Sequence, residues 1–302
     1  MSASAIAAGI LANGVGLPSS CSARSTAFWY VLLVTISSFA PLSLSVFAVS
    51  LPASPALMTS TLQSRRSPQN LRASSTAAKL IDAARNKTLT EREAKEVLAA
   101  YGVPVVGEKL VQSADEAAAA AKALGFPVAL KVESPDLPHK TEAGVIRLGM
   151  KNEAEVKAAY EAVMANANKV TPPPRLNGVL VQPMISAGAE IMVGARIDPL
   201  FGPLVIAGLG GILVELLKDT SVELGLITQA EARAMLDRLK GRAMLTGFRG
   251  SEPVDLDKLA DIIVRLAEFT VDQKDRIAEL DVNPLICSGR RITAVDALIV
   301  KR

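Results

Sequence analysis

The sequence is poor in the residues on which disulfide, zinc and histidine chemistry depends. Its 302 residues include two cysteines, Cys21 and Cys287, and one histidine. Two cysteines without C-x-x-C spacing exclude a disulfide framework and a cysteine-based zinc or redox site. Half of the residues are apolar and 21% are charged, the balance of an ordinary globular protein. At about 150 residues per domain, the length predicts two domains or one two-lobed unit.

Acidic residues are absent from the first 78 positions, where four arginines give a charge of +4. The first acidic residue is Asp82, and residues 79–302 hold 29 basic and 30 acidic side chains. The basic excess therefore belongs to the N-terminal segment. The body is close to neutral and has no run of Lys and Arg interleaved with aromatic residues, so we expect no nucleic-acid partner.

An uncharged, largely apolar stretch of 25 residues occupies positions 27–51. It is long enough to span a bilayer, which takes about 20 residues, although Pro41 and several Ser and Thr residues weaken that interpretation. Three interpretations stay open: a membrane anchor or signal segment, an upstream extension with Met58 as the working start, or a transit peptide that includes the Ser- and Arg-rich residues 58–79. We expect a cytoplasmic protein, with membrane contact or organelle targeting only if the segment is retained.

Helix starts carry a repeated signature, a capping residue followed three positions later by Glu. The pairs are Thr90/Glu93, Ser113/Glu116, Asn152/Glu155 and Thr228/Glu231. The Ser and Thr pairs predict full capping boxes, in which each side chain binds a backbone N–H of the first turn. Gly102 and Gly125 predict the ends of the first two helices. A fifth helix is predicted over about residues 255–270.

Short apolar segments between these helices predict strands. They are residues 128–132, 145–150, 178–182, 190–197, 204–207, 212–217, 277–282 and 292–298. This mixture, with Ser288-Gly289 as a hairpin turn, predicts an α+β (α/β) fold rather than an alternating parallel barrel. The prolines of residues 171–174 cannot continue the preceding helix, so a boundary is predicted near residues 170–177. The predicted parts are an N-terminal extension with a low-order linker (1–78), a small lobe (79–174) and a large lobe (175–302).

A polar loop between two predicted strands is the first candidate for chemistry. Residues 131–144 read KVESPDLPHKTEAG and hold His139, the only histidine, beside Lys140. Hydroxyl, acidic and glycine residues follow, and such a loop suits the handling of phosphoryl groups. The alternative is a structural or merely exposed histidine.

A glycine-rich segment, residues 198–219, is the second candidate. Gly208, Gly210 and Gly211 let a ligand or another backbone approach closely. The spacing is neither G-x-G-x-x-G nor G-x-x-x-x-G-K-[ST], so neither a Rossmann nor a P-loop site is indicated, and a plain turn between packed strands is the alternative. Glu215 lies in an apolar stretch, where an ionised carboxylate needs a partner or a metal.

The third candidate is a carboxylate and amide group near the C-terminus. Asp281 and Asn283 are two apart on a predicted strand and so share one face, and a hairpin could bring Asp296 opposite them. Few, hard oxygen ligands suit Mg²⁺ shared with nucleotide phosphates, whereas solvated acids at a turn are the alternative. Taken together, the three segments favour nucleotide binding.

Four segments in order resemble the ATP-grasp, or β, part of the ADP-forming acyl-CoA synthetases, relatives of succinyl-CoA synthetase. They are VALKVESPDLPHKTEAGVIRLG (128–149), VLVQPMISAGAEIMVGARIDPLFGP (179–203), GLGGILVELLKD (208–219) and ELDVNPL (279–285). The resemblance covers about residues 90–297 and implies a two-lobed ATP-grasp fold that clamps ATP between its lobes. One departure is Val145, where many relatives have a second glycine, and this stiffens the loop.

The resemblance also implies roles for single residues. It assigns nucleotide phosphates to Lys131, the adenine hinge to Gln182 and Met184, the ribose and nucleotide to Glu190, and Mg²⁺ to Asn283 and Asp296. His139 would accept a phosphoryl group and pass it to ADP, and Asp281 would orient the imidazole or balance its charge. Glu215 matches an acid of the family whose role is not assigned. The implied cofactors are ATP or ADP and Mg²⁺.

The family reaction needs parts that this chain lacks. It interconverts acyl-CoA, ADP and phosphate with carboxylate, ATP and CoA, and it uses a CoA-binding domain and a second phosphorylated histidine on an α part. Since His139 is the only histidine, we expect a separate α partner through which carboxylate and CoA bind. The alternative function is an ATP-sensing regulatory module of a CoA-binding or acetyltransferase system. A Ser-His-Asp hydrolase is not indicated, because no G-x-S-x-G segment is present.

Overall fold

A computed structural model of the chain describes residues 30–33, 46–49, 68–137, 143–186, 188–211 and 219–302. The chain forms two compact units, Met1–Arg65 and Arg66–Arg302. In the first unit, β1 (Tyr30–Leu33) pairs antiparallel with β2 (Val46–Val49). The helices described here include none that is long and apolar enough to cross a membrane. Most of the apolar stretch predicted at residues 27–51 lies outside the described residues.

The second unit contains all of the predicted helices. Its described α-helices are α1 (Pro68–Ala83), α2 (Glu91–Ala100), α3 (Ala114–Leu124), α4 (Glu153–Ala167), α5 (Gln229–Asp237) and α6 (Leu256–Asp272). The four predicted capping side chains each accept a hydrogen bond from the backbone N–H three residues on. Gly102 and Gly125 follow the ends of α2 and α3 with positive φ angles, as predicted. Helix α1 begins within the predicted low-order linker, and its Ala77 and Ile81 are buried.

The capping boxes differ from the prediction at one helix. Thr90 and Thr228 form full boxes with Glu93 and Glu231. The full box predicted at Ser113 is wrong, because the Glu116 carboxylate accepts instead from the backbone N–H of Gln112, at 2.7 Å. The carboxylate has reached one residue further back than the box requires.

Two antiparallel sheets form the body of the second unit. The small sheet has the order β3 (Lys109–Val111), β6 (Gly178–Pro183), β4 (Val128–Glu133) and β5 (Ile146–Met150). The large sheet has the order β11 (Arg291–Ala294), β10 (Ile277–Ser288), β7 (Ala189–Asp198), β8 (Gly202–Leu209) and β9 (Thr220–Leu224), and β12 (Ala297–Lys301) also pairs with β10.

Most predicted strands are confirmed, and the remaining ones differ in identifiable ways. The single strand predicted at residues 292–298 is two strands, β11 and β12, which both pair with β10. The predicted Ser288-Gly289 hairpin turn joins β10 to β11, with Gly289 at φ 53°. The strand predicted at residues 212–217 lies outside the described residues.

Each sheet has its own apolar core. Helices α3 and α4 pack on the small sheet, and the buried side chains of α2, α5 and α6 pack on the large sheet. Strand β6 pairs with β4 and β3, so it belongs to the small sheet. The sheets therefore divide between Pro183 and Ala189, whereas the predicted lobes divide after residue 174. The prolines after α4 end that helix, but the chain returns to the small sheet before it leaves for the large one.

Candidate functional site

Polar side chains line the face of β10 that is turned away from the core of the large sheet. Leu280 and Val282 are buried in that core, and Asp281 and Asn283 alternate with them. The backbone N–H of Asn283 donates to the carbonyl oxygen of Asp296, at 3.3 Å. The structure thus brings Asp281, Asn283 and Asp296 together, as the strand pattern predicts.

Asp281 is the electrostatically unusual member of this group. Its Oδ1 is buried and has no hydrogen-bond partner in the described part of the chain. Burial, and then the nearby charges of Glu279 and Asp296, raise the pKa of Asp281 to about 7. An excess of negative charge around an unsatisfied carboxylate oxygen fits a bound cation or a cationic partner.

The residues present suit a metal ion that is shared with a ligand. Within the described ranges, no group of three or more His, Cys, Asp or Glu side chains is arranged to hold a metal. Asn283 and Asp296 together offer an amide and a carboxylate oxygen. Mg²⁺ is commonly bound by one or two protein oxygens together with substrate phosphates, so this donor set fits Mg²⁺ with a nucleotide.

Lys131 reaches this group from the small sheet. It lies on β4 and is buried, with its Nζ 2.8 Å from Oε1 of Glu91 and 3.5 Å from Oδ2 of Asp296. Burial acts to lower the pKa of Lys131, but the charges of Asp296 and Glu91 outweigh it, and the pKa lies above its ordinary value. The ammonium group is therefore charged at neutral pH, as a phosphate contact requires.

Sequence reasoning missed the polar network behind Lys131. Gln182 donates from Nε2 to Oε1 of Glu91, at 2.8 Å, and to Oε2 of Glu108, at 2.7 Å. Lys95 is paired with the same two carboxylates. The four-residue spacing of Glu91 and Lys95 is compatible with an ion pair on a helix, but nothing in the sequence connects either residue to Lys131 or Gln182.

The predicted hinge, Gln182 to Met184, borders a cavity of about 190 Å³. The cavity is lined by Met184, Ile185, Ser186, Ile286, Ser288, Arg291 and Thr293. Ile286 and Ser288 alternate with the buried Leu285 and Cys287. They therefore lie on the same face of β10 as Asp281. This face carries the acidic group near its middle and the cavity towards its end, an arrangement with room for an elongated ligand.

Glu190 lies beside the glycine-rich turn. The backbone N–H of Gly210 donates to the carbonyl oxygen of Glu190, at 2.6 Å. A Cβ atom on Gly210 would lie 2.9 Å from the Glu190 carbonyl carbon, so only glycine fits without a shift. At Gly210, the close approach that the sequence predicts is to another backbone.

His139 and Glu215 lie outside the described residues, in segments 138–142 and 212–218. Hydrogen bonds hold the chain on both sides of segment 138–142. Asp136 forms a double hydrogen bond with the guanidinium of Arg175, at 2.7 and 2.9 Å, and the pKa of Asp136 falls to about 2 because of it. On the other side, the carbonyl oxygen of Gly144 accepts from Nδ2 of Asn166, at 2.9 Å.

Comparison with known proteins gives consistent matches. Residues 81–300 match the family described as ATP-grasp domain. The chain is 41% identical, over 70% of its length and 91% of the relative, to the β subunit of acetate–CoA ligase [ADP-forming] II of Pyrococcus furiosus.

Solved structures of a second relative are also similar. The dinucleotide-forming acetyl-coenzyme A synthetase 1 of Ca. Korarchaeum cryptofilum, in complex with coenzyme A and Ca-AMPCP, has a TM-score of 0.69 and 34% identity, covering 83% of this chain and all of that chain. The same enzyme with coenzyme A and Mg-AMPPCP, its phosphohistidine segment pointing towards the nucleotide binding site, has a TM-score of 0.63 and 37% identity, covering 72% of this chain and 94% of that chain.

Proposed function

The chain belongs to the ATP-grasp family that includes the β subunits of ADP-forming acetate–CoA ligases, and on this premise we propose that it is the nucleotide-binding β subunit of an ADP-forming acid–CoA ligase. It uses ATP or ADP with Mg²⁺ and works with an α subunit. In this role it relays a phosphoryl group between His139 and the nucleotide.

One observation carries the proposal: a buried, charged lysine of the small sheet faces the carboxylate of the large sheet. Nζ of Lys131 lies 3.5 Å from Oδ2 of Asp296. A nucleotide held between the sheets would place its phosphates where the ammonium group and the oxygen ligands meet. Positioning and electrostatic stabilisation provide most of the catalysis of phosphoryl transfer, so this is the geometry that the reaction needs.

The metal belongs to the same end of the site. Asn283 and Asp296 would hold Mg²⁺, and the bound ion would supply positive charge that neutralises the phosphate oxygens. The role that we propose for Asp281, whose Oδ1 has no hydrogen-bond partner among the described residues, is to balance the positive charge that forms on the imidazole of His139. The adenine base of the nucleotide binds at the other end of the site. There Gln182 and Met184 form the hinge beside adenine, and the cavity at Ile286 receives the ring. Glu190 lies towards the ribose.

The reaction is a reversible transfer. A neutral imidazole nitrogen of His139 attacks the γ-phosphorus of ATP, the bond from that phosphorus to the bridging oxygen breaks, and ADP leaves. The reverse step forms ATP from phosphohistidine and ADP. The α subunit supplies the CoA-binding part and the second histidine, and the carboxylate and CoA react there. We propose that the carboxylate is small, since the relative acts on acetate.

Reconstitution tests this function. The full chain is mixed with a CoA-binding α subunit from the same cells, and acetate, CoA and Mg-ATP are supplied. We expect acyl-CoA, ADP and phosphate only when both chains are present, and none with His139→Asn. Acyl-CoA formation without an α subunit would contradict the proposal. ATP binding without acyl-CoA formation, with every α-type protein that co-purifies, would favour the regulatory module.

A further inference from the structure

Two ion pairs connect the cores of the small and large sheets. Helix α2 is packed in the large-sheet core through Ala94, Val97 and Leu98, while Leu130 and Val132 of β4 belong to the small-sheet core. At the start of α2, Glu91 is paired with Lys131, at 2.8 Å, and Arg92 with Glu133, at 3.5 Å. Adjacent residues of the helix thus meet alternate residues of the strand, which share one face.

One carboxylate oxygen stands at the centre of this contact. Oε1 of Glu91 accepts from Nζ of Lys95 at 2.9 Å, from Nζ of Lys131 at 2.8 Å and from Nε2 of Gln182 at 2.8 Å. The Glu91 side chain is 1% exposed. A single buried atom therefore fixes the proposed phosphate lysine and the proposed hinge glutamine relative to each other.

Stability alone does not account for such a cluster. Burying Glu91, Glu108, Lys95 and Lys131 removes four charged groups from water, and well-packed apolar residues are often at least as stabilising as a buried ion pair. The charged network instead fixes the orientation of the Lys131 ammonium group. An ammonium group has three N–H donors. Among the described residues, Glu91 and Asp296 lie beside the Lys131 ammonium, so that one of its three donors remains for a phosphate oxygen.

We propose that Glu91 is a positioning residue for the nucleotide. It holds the Lys131 ammonium towards the phosphates and fixes the Gln182 amide at the hinge, and it acts through these two side chains without touching the nucleotide. This inference rests on the proposed function, because it assumes that the nucleotide binds between the two sheets.

A double-mutant cycle tests the proposal. Binding of Mg-AMPPCP to the full chain is measured by calorimetry for the wild type, Glu91→Gln, Lys131→Met and the double variant. We expect Glu91→Gln to weaken binding by about 10-fold or more, as is typical when one partner of a buried charged pair is removed. Since part of the effect of Glu91 passes through Lys131, the loss of binding in the double variant should be smaller than the sum of the two single losses.

Glu108→Gln is the matched control. Glu108 is paired with Lys95 and Gln182, as Glu91 is, but it makes no ion pair with Lys131. We expect Glu108→Gln to lower the melting temperature as much as Glu91→Gln does, and to weaken nucleotide binding by less than about 3-fold. Glu91→Asp keeps the charge and shortens the side chain, so it should keep the fold and still weaken binding.

The outcomes separate this inference from the function on which it rests. Additive losses in the double variant, equal losses in Glu91→Gln and Glu108→Gln, or unchanged binding in Glu91→Asp would each overturn the positioning role. A wild-type chain that does not bind Mg-AMPPCP would overturn the proposed function, and this inference with it.

Discussion

The burial of Asp281 in the candidate site lowers the stability of the folded protein. Its Oδ1 is buried without a partner in the described part of the chain, close to the charges of Glu279 and Asp296. We expect Asp281→Asn to stabilise the metal-free protein by about 1 kcal/mol, because it removes a buried carboxylate whose charged form is disfavoured by burial and by the charges of Glu279 and Asp296. The same change should strongly reduce phosphoryl transfer, because it removes the carboxylate that we propose as the partner of the His139 imidazole.

Urea unfolding in the presence of a chelator measures the stability change at Asp281. Asp275→Asn is the control, since Asp275 is exposed and its replacement should change the free energy of unfolding by less than about 0.5 kcal/mol. A destabilised Asp281→Asn protein would show that the carboxylate has a structural partner after all.

The ion pair between Asp136 and Arg175, close in sequence to His139, should depend on pH. Because Arg175 lowers the pKa of Asp136 to about 2, the folded protein binds this proton less readily than the unfolded chain does. The stabilising pair is complete above the unfolded pKa of about 3.9 and is lost as the pH falls towards 2. Carboxyl-carbon NMR should show the pKa of Asp136 near 2 in the wild type and clearly higher in Arg175→Met, though still below its ordinary value, because the backbone N–H of residue 175 also donates to this carboxylate. An ordinary wild-type titration would rule out the pair.

Some of the contacts between single residues of the candidate site could be predicted from the sequence, and others could not. Asp281, Asn283 and Asp296 could be predicted as neighbours because strand alternation and a hairpin determine which side chains meet. Glu91 and Glu108 could not be predicted at Lys131 and Gln182. Their contacts depend on how the start of α2, which packs with the large sheet, meets the small sheet, and no local spacing encodes that.

At the scale of elements, the turn after β8 depends on glycine. A Cβ atom at Gly210 would lie 2.9 Å from the carbonyl carbon of Glu190. Backbone cannot move aside cheaply, so we expect Gly210→Ala to lower the free energy of unfolding by about 1–3 kcal/mol and to weaken nucleotide binding through Glu190. Gly107→Ala is the control, because nothing lies within 4 Å of a Cβ atom there. Equal stability of the two variants would contradict the close packing of this turn on β7.

Some helices and strands could be predicted from local sequence, whereas others depend on contacts that are distant in sequence. Helices with a capping residue and a Glu three positions later were all found, because the cap is local chemistry. Strands β1, β2, β3 and β9, of three to five residues each, were not predicted. Strand β10 was expected to end at Val282, before Asn283-Pro284. It continues to Ser288 because the pairing with β7 shifts register between Val282 and Leu285, which accommodates a residue that cannot donate.

At the scale of the whole molecule, the second unit (Arg66–Arg302) contains two sheets, and the groups of the candidate site come from both of them. Neither sheet holds the full set of groups: β4 and β6 supply Lys131 and Gln182, and β10 with the segment before β12 supplies Asp281, Asn283 and Asp296. The two-lobed fold was predicted through the resemblance and is confirmed by the ATP-grasp match. The proposed relay accounts for a buried lysine and for a carboxylate oxygen that has no hydrogen-bond partner in the described part of the chain.

The most direct test of this account is phosphoryl transfer to the chain itself. The full-length protein is incubated with Mg²⁺ and γ-labelled ATP, and acid-labile, alkali-stable protein-bound phosphate is measured, with His139→Asn and Asp281→Ala alongside. We predict label on the wild type, none on His139→Asn, strongly reduced label on Asp281→Ala, and none when Mg²⁺ is chelated. Label that persists in His139→Asn, or its absence from a wild-type protein that binds ATP in the presence of its α subunit, would contradict the relay.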